Sequence, residues 1–131
     1  MTRTKSLATV SVAAVAAAVA ALWLAGTQAA RAQDPAVVNA KTIRVKLENA
    51  RVRVLDATLK PGDKEQLHSH PAYVIYVIEG GKVRNHSADG KTNEAEFKAG
   101  DVIYRDPLTH WAENIGTTTM HLILVELKSP S

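Results

Sequence analysis

The feature that most constrains the fold is a succession of short apolar stretches, each bounded by turn residues, that begins after Pro35. In Ile43–Leu47, apolar residues alternate with charged ones, and Tyr73–Ile78 is a nearly continuous apolar run. Asp89-Gly90 separates two further stretches, and Asp-Gly is a strong signal for a tight β-hairpin. No window of a dozen residues has the period of an amphipathic helix. Short strands separated by turns predict an all-β sandwich or barrel.

The remaining predicted strands have the same pattern of apolar residues bounded by turns. They are Val52–Leu59, Lys82–His86, Thr92–Phe97, Val102–Tyr104, Trp111–Ile115 and Thr118–Leu127. Turns are predicted at Pro61-Gly62-Asp63 and at Gly100-Asp101, because glycine and aspartate are typical turn residues. We therefore expect one β domain over residues 42–128, preceded by a linker over residues 33–41.

The N-terminus has the pattern of a secretory signal peptide. Arg3 and Lys5 precede the apolar segment Leu7–Ala25, and Ala30-Arg31-Ala32 provides small residues at a cleavage site. We expect residues 1–32 to be removed and the mature protein to be periplasmic or secreted. The alternative is a retained anchor, since a membrane span needs about 20 apolar residues. The alanine-rich composition and the cleavage site favour removal.

Charge and cysteine content limit the classes of function. Arg3, Lys5 and Arg31 precede Asp34, the first acidic residue, so 13 basic and 13 acidic residues remain in the predicted mature chain. The excess of positive charge therefore belongs to the targeting segment, and nucleic-acid binding is not indicated. After cleavage we also expect no membrane association. Without cysteine, the fold must depend on its core or on a bound metal.

A pair of histidines lies directly before the longest apolar run. His68 and His70 are two residues apart, so on a strand their side chains lie on the same face. If that face lines the interior of the barrel, two imidazoles converge on one point. His110 comes from a distant segment and is the third histidine of interest.

These residues resemble the two sequence motifs of the cupin superfamily. Gly62, five residues, His68-Ser69-His70 and a closing Gly80 or Gly81 are similar to the first motif, G-x5-H-x-H-x3/4-E-x6-G. Gly100-Asp101 and the segment from His110 to Asn114 are similar to the second, G-x5-P-x-G-x2-H-x3-N. The resemblance extends over roughly Leu47 to Lys128. It implies a small cupin-type β-barrel, a jelly-roll-like double-stranded β-helix.

The resemblance also implies a metal site made by His68, His70 and His110. The first motif's glutamate is missing, because Tyr73, Val74 and Ile75 occupy its position and the neighbouring ones, and the second motif is one residue shorter than usual. Three imidazoles without a carboxylate suit Fe(II), Zn, Ni, Cu or Co better than magnesium or calcium. The residues do not distinguish among these five metals.

Two further residues are candidates for the same site. Tyr73 could be a ligand in the glutamate's place, a hydrogen-bond donor to a ligand, or part of the barrel wall. His121 could supply a fourth nitrogen, but a core or edge position is favoured for a histidine between Met120 and Leu122.

Other residues of the motifs and strands are expected to have structural roles. His86, beside the predicted hairpin turn, is expected at the surface. We expect Tyr76, Tyr104 and Trp111 in the core or lining the cavity, and Asn114 supporting His110 or the adjacent turn.

The resemblance leaves two functions open. One is a metal-dependent dioxygenase, or a related lyase or isomerase, that acts on a small anionic substrate. The other is a non-catalytic module that binds a small ligand or a metal. The order of segments and the ending HLILVELK are most similar to small cupins linked to β-alanine breakdown. The apolar first strand (Ile43, Val45, Leu47) predicts an open edge and a homodimer.

Export is the prediction that the sequence makes independently of the fold. N-terminal sequencing of protein recovered from the periplasm or medium of the producing cells should give Gln33 as the first residue. A product that still begins at Met1 and sediments with the membranes would instead favour the retained anchor.

Overall fold

The computed structural model describes residues 33–129, which form nine strands and one short helix. The elements are α1 (Pro35–Val38), β1 (Ile43–Glu48), β2 (Val52–Leu59), β3 (His68–His70), β4 (Tyr73–Glu79), β5 (Gly81–Ser87), β6 (Thr92–Phe97), β7 (Val102–Arg105), β8 (Leu108–Asn114) and β9 (Met120–Leu127). The predicted signal peptide, residues 1–32, lies outside the described residues. Within residues 33–129, no helix has the length and apolar character needed to cross a membrane.

The strands form two antiparallel sheets that enclose one core. Their orders are β1-β2-β9-β4-β7 and β3-β8-β5-β6. Along β9, Met120, Leu122 and Leu124 are buried, and the residues between them are partly exposed. This alternation follows from the pleat of a strand, which directs successive side chains to opposite faces. The all-β prediction is confirmed.

The predicted strand limits agree closely with the structure. Thr92–Phe97 is β6, and β5 pairs with it across the turn that contains Asp89-Gly90. Gly90 has a φ of +85°, a backbone conformation that favours glycine. The largest difference is β8, which begins at Leu108 and not at Trp111, because Leu108 pairs with His70 of β3.

The segment predicted as a linker, residues 33–41, packs against the β domain. Asp34 caps helix α1 by accepting a hydrogen bond from the backbone N–H of Ala36 at 2.9 Å. Both Asp34 carboxylate oxygens also accept hydrogen bonds from Arg53 of β2, at 2.8 and 2.9 Å. The Asn39 side chain is buried and binds both backbone polar groups of Gln66, just before β3. Residues 33–41 are therefore anchored to the β domain through polar side chains.

Three aromatic residues expected in the core or cavity lie on the outside of the barrel. Tyr76 and Tyr104 are 48% and 58% exposed. Trp111 points outward between the buried His110 and Ala112, and it stacks on His86 with ring centroids 3.6 Å apart. The prediction was wrong because strand alternation outweighs the preference of aromatic rings for burial.

Asn114 connects the end of β8 to two other segments, and its loss should destabilise the fold. Its buried Nδ2 donates hydrogen bonds to the backbone carbonyls of Leu59 and Thr118, both at 2.9 Å. Its Oδ1 accepts one from the Gly116 N–H at 3.0 Å. Asn114→Ala should lower the free energy of unfolding by about 2–3 kcal/mol, because buried backbone groups lose their partners. Urea unfolding of the metal-free protein measures this.

The matched control is Asn93→Ala. Asn93 is exposed, and its side chain makes no hydrogen bond with the described residues. The control should change the unfolding free energy by less than about 0.5 kcal/mol. Equal midpoints and slopes for the wild type and Asn114→Ala would contradict the role assigned to Asn114.

Candidate metal centre

The pairing of β3 with β8 brings the three histidines of the motifs together. His68 and His110 are directly opposite each other in the antiparallel register, and His70 lies on the same face of β3 as His68. All three are buried, and their candidate ligand nitrogens lie within 4.8 Å of one another. Residues 40 positions apart in the chain thus form the cluster that the spacing predicted.

Hydrogen bonds at the far sides of two rings direct their free nitrogens inward. His68 Nδ1 lies 2.7 Å from the carbonyl oxygen of Gln66, and His70 Nδ1 lies 2.6 Å from Glu126 Oε1. Both oxygens can only accept a hydrogen bond, which places a proton on each Nδ1, and the Nδ2 of Asn39 lies farther from His68 Nδ1, at 3.0 Å. The two Nε2 atoms lie 2.9 Å apart on the cavity side of the rings. Both are close enough to bind one ion at about 2.0–2.1 Å.

His110 supplies a third free nitrogen. Its Nε2 is buried and has no hydrogen-bond partner among the described residues. Burial lowers the pKa of His110 to about 3 and that of His68 to about 4. Both imidazoles are therefore neutral at neutral pH and offer lone pairs to a ligand. Three imidazole nitrogens are a donor set that suits divalent transition metals, so the site fits the metal that its sequence implied.

Glu126 is a buried carboxylate that the sequence reasoning missed. It follows Leu122 and Leu124 on the inward face of β9 and accepts the hydrogen bond from His70 described above. Arg53 Nη1 lies 3.7 Å from Glu126 Oε2 and 2.8 Å from Asp34 Oδ2. The alternation of inward and outward residues in HLILVELK would have predicted that the Glu126 carboxylate lies inside the barrel. Glu126 orients the His70 ring and makes its Nε2 more basic, as carboxylates commonly do behind metal-binding histidines.

Glu65 is a second buried carboxylate that the sequence reasoning missed. It lies in the loop before β3, its side chain is 6% exposed, and its Oε2 is 3.9 Å from His68 Nε2. It accepts one hydrogen bond, from the Ala112 N–H at 3.1 Å. Burial raises the pKa of Glu65 to about 7. No strand period marks a loop residue, so the pattern of the sequence gave no signal for it.

The histidines lie in the wall of a cavity of about 260 Å³ between the two sheets. Ile75, Leu122 and Leu124 form part of its apolar lining, and Arg105, at the end of β7, brings one positive charge to it. The volume is slightly below the range of about 300–1,000 Å³ that is usual for pockets binding drug-sized molecules. The cavity therefore suits a small molecule.

Tyr73 is part of the cavity wall. It is buried, and its ring centroid lies 4.6 Å from that of His70. Burial raises the pKa of Tyr73 to about 12, so the side chain is a neutral phenol. Of the three roles considered, wall residue agrees best with this geometry, and a phenolate ligand agrees least.

His121 and His86 lie outside the cavity. His121 lies on the outer face of β9 between the inward Met120 and Leu122, and its Nε2 is 3.0 Å from Asp56 Oδ1. The alternative of a fourth nitrogen from His121 is corrected, because strand alternation turns this ring away from the other three. His86 stacks on Trp111 on the outer face, in agreement with the surface position expected for it.

Comparisons with known proteins agree with this architecture. The family model described as "Cupin domain" matches residues 55–126, more than half of the chain. A search of curated protein sequences found no match.

Solved structures with the same fold include three cupins. A cupin domain from Bordetella pertussis has a TM-score of 0.61 and 22% identity, over 66% of this chain and 92% of that one. An RmlC-like cupin with a double-stranded β-helix fold from Methanocaldococcus jannaschii has a TM-score of 0.54 and 16% identity, over 67% and 80%. A predicted oxalate decarboxylase from Thermotoga maritima has a TM-score of 0.50 and 23% identity, over 66% and 79%.

At these identities the structures show a shared fold, and they confirm the predicted double-stranded β-helix. The match over residues 55–126, the two sheets and the converging histidines lead to one conclusion: this chain belongs to the cupin family.

Proposed function

We propose that this protein is an exported cupin that holds a divalent transition metal through His68, His70 and His110 and acts as a metal-dependent dioxygenase on a small anionic substrate. The observation that carries the proposal is the convergence of three buried imidazole nitrogens in the wall of a small cavity. A divalent metal bound there would supply a double positive charge and open coordination positions, since the three histidines do not fill its coordination sphere. Fe(II), Zn, Ni, Cu and Co all suit this donor set.

The position of Arg105 supports the proposal that the substrate is an anion. It lines the cavity, and no carboxylate among residues 33–129 forms an ion pair with its side chain. A guanidinium binds a carboxylate through two parallel hydrogen bonds, which fixes the orientation of the bound molecule. The rest of the lining is mostly apolar, so the anion would be held at one end of a largely dry cavity. The resemblance to cupins linked to β-alanine breakdown agrees with a small carboxylate.

Metal retention should depend on the inward histidines. Protein purified from its native source without a nickel column should retain about one metal ion per chain after desalting, as measured by mass spectrometry. His70→Ala and His110→Ala should lose most of it, because two imidazoles rarely hold a divalent ion tightly. His121→Ala is the matched control and should retain it, since His121 faces outward. Equal metal content in wild type and a variant lacking all three inward histidines would refute the site.

Turnover should require both the metal and Arg105. Fe(II)-loaded protein should consume oxygen with a member of a panel of small carboxylates, amino acids, thiols and diketones. His110→Ala should abolish this activity, and Arg105→Gln should raise KM by about 10- to 100-fold through loss of a charged hydrogen bond. Saturable ligand binding without product, whichever of the five metals is loaded, would instead establish the non-catalytic module.

A homodimer through the free edge of β1 is part of the proposal. β1 lies at one end of the five-stranded sheet, and Val45 and Leu47 are exposed there. Light scattering at micromolar concentration should give the mass of two chains, and Val45→Lys should give that of one, because edge lysines oppose strand pairing. Val102→Lys, at the opposite edge on β7, is the matched control and should remain dimeric. A monomeric wild type would contradict this arrangement.

A further inference from the structure

We infer that Glu65 supplies a carboxylate ligand to the metal, in place of the first cupin motif's glutamate, which this chain lacks. The inference deepens the proposed function and rests on it, because it concerns the metal that the three histidines would hold. The spacing of the motif would place its glutamate at position 74 or 75, and the chain has Val74 and Ile75 there. Glu65 instead comes from the loop that precedes β3.

The geometry places Glu65 within reach of the same ion as His68. Two ligand atoms that each bind one ion at about 2.1 Å can be at most about 4.2 Å apart. Glu65 Oε2 and His68 Nε2 are 3.9 Å apart, and the two residues line the same cavity with His70 and His110.

The buried carboxylate of Glu65 also has no lysine or arginine partner among the described residues. A buried carboxylate needs an opposite charge or several hydrogen bonds to offset its lost hydration. Glu126, the other carboxylate near the site, has the positively charged Arg53 at 3.7 Å and a hydrogen bond from His70 at 2.6 Å. Glu65 has one hydrogen bond, from Ala112, and no lysine or arginine among the described residues forms an ion pair with it. A divalent ion beside His68 would be its counter-charge.

The test compares Glu65→Gln with Glu113→Gln in the full mature protein. Glutamine is close in shape to glutamate and can accept the same hydrogen bond from Ala112, so the metal-free variant should unfold at the same temperature as the wild type or a higher one. Its affinity for Co(II) and Zn(II), measured by competition with a chelator, should fall at least about tenfold. The visible absorption spectrum of the Co(II) form should also change, because an oxygen donor is lost. Glu113 faces outward and forms ion pairs with Lys64 and Arg84, so its variant should have the wild-type affinity and spectrum.

The outcomes separate this inference from the proposed function. Wild-type affinity and an unchanged Co(II) spectrum in Glu65→Gln would overturn the role of Glu65 and leave the three-histidine site intact. A wild type that binds neither Co(II) nor Zn(II) would overturn both. A loss of affinity with an unchanged spectrum would also refute direct ligation, since the donor set would then be the same in both proteins.

Discussion

The arrangement of the site depends on the antiparallel pairing of β3 with β8. A register shift of one residue would turn His68 and His70 away from the cavity, because the side-chain period of a strand is two. The actual register places His68 opposite His110 and gives a cluster of three buried imidazoles. β3 has only three residues, so its own ladder is short. Contacts of Gln33 with Ser69, the middle residue of β3, and of Asn39 with Gln66, two residues before β3, help to hold this strand in place.

The N-terminal segment is therefore structurally linked to the candidate centre. Asp34 binds Arg53, Arg53 approaches Glu126, and Glu126 accepts a hydrogen bond from His70 Nδ1. The charges of Asp34, Arg53 and Glu126 alternate in sign, so each reduces the cost of burying its neighbour. Removal of Asp34 would leave the positive charge of Arg53 less compensated and would weaken the orientation of the His70 ring. A segment with four helical residues thus contributes to the geometry of a site in the barrel interior.

The sequence predicted all the strands except β3, the hairpin at Asp89-Gly90 and, through the motif resemblance, the convergence of His68, His70 and His110. These features follow from local patterns, namely alternation, turn residues and motif spacing. The packing of residues 33–41 and the position of Glu65 were not predictable in this way, since both depend on contacts between distant segments. The inward position of Glu126 could have been predicted, because alternation in HLILVELK places it on the same face as Leu124. The outward positions of Tyr76 and Tyr104 also follow from alternation, which the aromatic character of these residues obscured.

The two buried carboxylates differ in a way that bears on how the site works. Glu126 lies 3.7 Å from Arg53 and accepts a hydrogen bond from His70, so it orients the His70 ring and its charge is partly compensated by the protein. Glu65 is not neutralised, and burial raises its pKa to about 7, well above the ordinary range of a carboxyl group. The folded chain therefore brings three imidazole nitrogens together and places a buried carboxyl group 3.9 Å from one of them. Binding a divalent ion there would give the Glu65 carboxylate a counter-charge, so metal binding and the stability of the fold should be thermodynamically linked.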